Sequence, residues 1–86
     1  MDKLEKILKA LANRRRLAIL RYLKDGRQAS VGDISAKIDL SFKATSKHLN
    51  ILFGADILER DQKGLQMYYK IAGESGVAIT IISRLI

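Results

Sequence analysis

The chain has 86 residues, enough for one small hydrophobic core and too few for two. A hydrophobic share of 48% beside 29% charged residues is the balance of a globular domain, neither disordered nor membrane-embedded. Sixteen Lys and Arg against nine Asp and Glu leave +7 at neutral pH, which suits a polyanionic partner: nucleic acid first, an anionic membrane surface second. With no Cys and a single His, disulfides, thiolate chemistry and a zinc site built from several imidazoles of one chain are excluded.

Residues 1–9 alternate charge with Leu and Ile, unlike the apolar run of a signal peptide. The longest apolar stretch, residues 77–82, is far below the about 20 residues a spanning helix needs. The expectation is a soluble, cytoplasmic protein, organised as one domain over residues 1–86 without repeats or linkers. The chain lacks Pro, so Gly, Asp, Asn and Ser must punctuate its segments.

Over residues 2–12, Leu4, Ile7, Leu8 and Leu11 fall at helical spacing, with Lys3, Glu5, Lys6 and Lys9 elsewhere. Asn13 reads as the N-cap of a second helix over 14–24, whose Leu17, Leu20 and Leu23, with Ala18 and Ile19, face a core. Asp25 and Gly26 end it in a turn. Ser30 and Asp33 have capping-box spacing and open a short third helix that packs Ile34 and Ile38. Asp39-Leu40-Ser41 is a tight break, and Ser41 is placed to cap a fourth helix over 42–53. Two short helices joined in this way form a helix-turn-helix.

Beyond Ala55 and Asp56 the hydrophobic period changes. Residues 57–60 and 65–71 read as strands, with Leu65, Met67, Tyr69 and Ile71 on the buried face of the second. Asp61-Gln62-Lys63-Gly64 is the turn between them, with Gly64 where positive φ is needed. A last, oily helix is expected over 74–86. The predicted architecture is mainly α with a small β-hairpin, a winged helix-turn-helix.

Chemistry concentrates on the fourth helix. Lys43, Ser46, Lys47 and Asn50 form one narrow stripe at i, i+3, i+4 and i+7, opposite Phe42, Thr45, Leu49 and Leu52. No acidic residue occurs between Asp39 and Asp56. A DNA-reading helix needs this arrangement: donors toward the groove, apolar groups toward the body, and no carboxylate to repel phosphate. Taken alone, most such stripes are the ordinary solvated face of a surface helix; the helix-turn-helix spacing, the wing and the acid-free run together favour DNA. Lys43, Lys47 and Lys63 are the candidates for phosphate, and Thr45, Ser46 and Asn50 for base edges. On the hairpin, Gln62 and Lys63 occupy the tip, flanked by Arg60 and Lys70.

Arg14-Arg15-Arg16 is a basic run, yet successive helical residues point in different directions and cannot form one contact surface. His48 sits at the edge of the apolar side and reads as a packing residue. No nucleophile elbow, phosphate loop, dinucleotide fingerprint or calcium-loop spacing is present, so no catalytic residue is assigned.

These residues resemble the ArsR-type (ArsR/SmtB) winged-helix repressors over nearly the whole chain. The similarity is carried by LKALANRRRLAILRYL (8–23), SVGDISAKI (30–38), SFKATSKHLNIL (41–52) and GLQMYYKI (64–71). It implies a homodimer on an inverted-repeat operator, with the first and last helices as the dimer interface and the recognition helix in the major groove. By position, Ser41, Lys43, Thr45, Ser46, Lys47 and His48 would lie at or near DNA, with Gln62 and Lys63 on the wing. The dimer face would comprise Leu4, Ile7, Leu8, Leu11, Ile79, Ile82, Leu85 and Ile86; independently, so small a core leaves the first stripe and the oily tail uncovered, and a second copy would cover them.

The chain departs from the family pattern in places. Metal-sensing members carry a Cys pair where this chain has Ser30 and Gly32, or His and acidic ligands on the last helix, where it has only Glu74. No metal or other cofactor is therefore expected. Phe42 replaces a Gln common among relatives, Asp56 replaces a helix-ending Gly, and the tail ends early. The competing readings are a winged helix that binds protein, a non-specific architectural DNA binder, and a membrane-surface module, the last disfavoured by a tail with Arg84 as its one cation.

Overall fold

Side-chain oxygens start three of the helices. The computed structural model describes residues 2–73. In it, Asn13 Oδ1 accepts from the backbone N–H groups of Arg15 (2.9 Å) and Arg16 (3.1 Å). Ser30 Oγ accepts from Asp33 N–H (3.1 Å) and Ser41 Oγ from Ala44 N–H (3.1 Å). Each bond satisfies a donor that the first helical turn leaves free. The resulting helices are α2 (Arg14–Leu23), α3 (Val31–Ile38) and α4 (Phe42–Gly54), preceded by α1 (Asp2–Leu11).

The breaks that follow α2, α3 and α4 fall at Asp residues. Asp25, Asp39 and Asp56 hold positive φ of 63°, 55° and 60°, a conformation that Asp tolerates better than most side chains because it can bond its own backbone. Asp39 ends α3, where Leu40 N–H reaches back to Ser35 C=O at 3.0 Å.

The three-stranded antiparallel sheet has the order β1-β3-β2, from β1 (Ala29–Ser30), β2 (Leu58–Lys63) and β3 (Gln66–Ile71). The pairing β2 with β3 runs from Leu58 opposite Ile71 to Lys63 opposite Gln66. The hairpin therefore closes on two residues, Gly64 and Leu65, rather than on the expected four. Positive φ at Gly64 alone (63°) is the signature of a type II′ turn, whose twist matches that of the strands. Leu65 consequently leaves the predicted buried face: it is 102% exposed at the tip, while Met67, Tyr69 and Ile71 do pack against the core. Strand β1 was not anticipated; it lays Ala29 and Ser30 against Tyr69 and Tyr68.

Ile19, Leu20 and Leu23 of α2 meet Ile34 of α3, Leu49 and Leu52 of α4, Ile57 just before β2, and Leu58 and Tyr69 of the sheet in one buried cluster. Burying each such aliphatic side chain contributes about 1.5–3 kcal/mol. Besides Leu65, two residues of α4 depart from an expected placement. Thr45, proposed for a base edge, is fully buried; Phe42, expected on the apolar side, is 61% exposed. Residues 74–86, which include the expected last helix and the dimer candidates Ile79, Ile82, Leu85 and Ile86, lie outside the described residues. Among the described residues no helix is long and apolar enough to cross a membrane.

Candidate nucleic-acid interface

Leu49 and Leu52 anchor α4 in the core, and the helical period then fixes what the opposite side presents. Lys43, Lys47 and Asn50 are exposed and Ser46 is half-buried, so the anticipated stripe lies on the surface. Ser41, at the helix entrance, is also exposed, with its hydroxyl occupied as the cap. Thr45 is the exception: with 0% exposure it cannot meet a base edge, and its Oγ1 is buried without a hydrogen-bond partner.

His48 is half-buried on the other flank. Its Nδ1 lies 3.2 Å from Nη1 of Arg16. A guanidinium only donates, so Nδ1 accepts and the ring proton sits on Nε2. Burial, then the positive charges of Arg16 and Arg15, hold the imidazole pKa below its ordinary 6.5 and favour this neutral form.

The arginine run separates as its spacing predicts. Arg16 turns back to α1, donating from Nε to Ala10 C=O (2.6 Å) and from Nη2 to Lys9 C=O (3.2 Å). Arg15 reaches the end of α3, where Nη1 donates to Ile38 C=O (3.1 Å). Both place a cation on helix C-terminal carbonyls, where the dipole favours it. Composition gave no sign of these assignments; they arise from where the helix ends meet.

Two of the wing's polar side chains, Lys63 and Arg60, are tied to the body, and Gln62 and Lys70 bond within the hairpin. Lys63 Nζ donates to Gln28 Oε1 at 3.0 Å and stands 5.3 Å from the Tyr68 ring centre. Gln62 Nε2 donates weakly to Gly64 C=O at 3.4 Å. On the flanks, Lys70 pairs with Glu59 across the sheet (3.1 Å), and Arg60 stacks on Phe53 (3.8 Å) while reaching Asn50 Oδ1 at 3.4 Å. Asn50 thus joins the polar stripe of α4 to the root of the wing.

A capped, cation-bearing helix held outward by a helix-turn-helix and followed at once by a β-hairpin defines a winged helix-turn-helix protein. Residues 13–60, more than half of the chain, match the sequence model of the family described as "Bacterial regulatory protein, arsR family". The transcriptional activator HlyU of Vibrio cholerae is 35% identical over 80 residues, covering 92% of this chain and 73% of its own length. An HTH-type transcriptional regulator of Mycobacterium tuberculosis is 36% identical over 74 residues, 86% of this chain but 32% of its own length. This chain therefore spans about a third of that regulator. Among solved structures, reduced HlyU superposes with a TM-score of 0.85 at 31% identity, over 98% of this chain and 84% of its own. The homodimeric winged helix-turn-helix DNA-binding domain of a possible ArsR-family regulator from Mycobacterium bovis gives 0.83 at 32% identity, over 98% and 74%. The chain belongs to the ArsR family of bacterial regulatory proteins.

Proposed function

We propose that the protein is a sequence-specific, DNA-binding transcriptional regulator of the repressor type, acting as a homodimer on an inverted-repeat operator, without catalysis. The observation that carries this reading is the outward stripe of exposed Lys43, Lys47 and Asn50 with half-buried Ser46, on a helix free of acidic residues. Lys43 and Lys47 neutralise phosphates, and Ser46 and Asn50 present hydrogen-bonding groups to base edges. His48, with its Nε2–H directed by the bond from Arg16, adds a neutral donor at the rim. Lys63 and Gln62 engage the adjacent backbone once Lys63 exchanges its bond with Gln28 for a phosphate.

Homodimerisation is supported by α1, where Leu4 and Leu8 remain 49% and 57% exposed although Ile7 and Leu11 of the same helix pack against the core. The homodimeric state of the Mycobacterium bovis domain supports the same arrangement. A regulator of this kind works where chromosomal DNA lies, in the bacterial cytoplasm.

Selection from random duplex oligonucleotides at physiological salt tests the reading. A palindrome with half-sites about one helical turn apart is expected. Recovery of no motif, or of binding that is uniform across sequences, contradicts it.

A further inference from the structure

Five large apolar side chains stand in water among the described residues: Leu4, Leu8, Phe42, Ile51 and Leu65. Leu4 and Leu8 belong to the proposed dimer face. Phe42 is different, because it opens the helix assigned to DNA. It is the first residue of α4, directly after the Ser41 cap, and Ser46 of the polar stripe lies one turn further on. At 61% exposure the ring gains little from folding, so the apolar surface it can bury must come largely from a partner.

The end of a recognition helix that meets base edges is its N-terminal end. Major-groove edges consist of hydrogen-bond donors and acceptors, with one apolar group, the C5 methyl of thymine. A phenyl ring offers no hydrogen bond to the polar edges and would leave them unpaired. We infer that Phe42 is a specificity-determining residue, packing on a thymine methyl at one position of each half-site. The inference rests on the DNA-binding reading above and adds to it the base that is read and the group that is recognised. Ser41, whose hydroxyl caps the helix, and Lys43 flank the ring at the helix entrance, so an entrance docked on the DNA backbone would bring the ring to the groove.

The test uses the operator recovered by selection, with each thymine in turn replaced by deoxyuridine. That exchange removes the methyl and keeps every hydrogen-bonding group. Wild type should lose about four-fold in affinity at one thymine per half-site, the value of one buried methyl group. Phe42→Ala should be indifferent to the same exchange, and Phe42→Gln, re-selected, should no longer demand thymine there. Equal melting temperatures would confirm that both variants fold, as an exposed side chain requires. Tolerance of uracil at every position by wild type overturns the inference, as does a sensitive thymine whose loss persists in Phe42→Ala. Either result, with a palindrome still selected, leaves the DNA reading in place; a wild type that selects no sequence removes both.

Discussion

Thr45 and His48 lie three residues apart on α4 and show how burial, more than residue type, sets a role. Thr45 turns a hydroxyl into the core with no partner for it, and an unpaired buried polar group costs about 1–3 kcal/mol. Thr45→Val keeps the shape and removes the group. It should raise unfolding stability by about 1 kcal/mol, read from urea denaturation, with operator affinity unchanged. His48 has a lowered pKa, so between its folded and ordinary values the unfolded chain binds the extra proton. Its contribution to stability is full above pH 6.5 and is lost as pH falls below that value. His48→Gln should flatten the thermal-stability profile across this range; an unchanged profile would mean that other groups cause it. At this scale the residue stripe was legible because helical period alone decides it. Both the base-edge assignment and the positional resemblance put Thr45 at DNA, whereas the helical period had it facing the core, as it does. Phe42, the first residue of α4, falls on the core-facing side by period and yet stays 61% exposed.

Elements were readable in the sequence where their cause is local. The caps Asn13, Ser30 and Ser41 and the Asp-marked breaks act within four residues of themselves, and they sit where the chain order predicts. Strand β1 has two residues and no period, and exists only because β3 offers it an edge. The hairpin runs longer than its hydrophobic pattern because Asp61, Gln62 and Lys63 pair through backbone groups, which side-chain polarity does not report. Arg16 is another non-local case, joining the carbonyls of α1 to His48 of α4 through a single guanidinium. Lys cannot span these acceptors with one planar fork. Arg16→Lys should therefore cost about 2 kcal/mol in urea unfolding, close to the loss from Arg16→Ala. Full rescue by Lys would reduce the contact to charge alone.

For the whole molecule, the proposed function requires two surfaces to work together: an apolar one to pair protomers and a cationic one to meet DNA. Leu8, 57% exposed on α1, is the most direct probe of the first. Leu8→Glu should sediment as a monomer at micromolar concentration and bind the palindrome weakly, with the monomer fold retained by circular dichroism. A wild type that is itself monomeric under those conditions would contradict the proposed assembly. The second surface carries the central claim, that the outward stripe of α4 lies on DNA. It is tested most directly by the salt dependence of operator binding for wild type and Lys47→Ala. Each phosphate neutralised releases counterions, so loss of one contact should weaken binding to all sequences and reduce the slope of log K against log salt by about 1. A Lys47→Ala protein with the wild-type slope and affinity would place the stripe away from the nucleic acid and contradict the account.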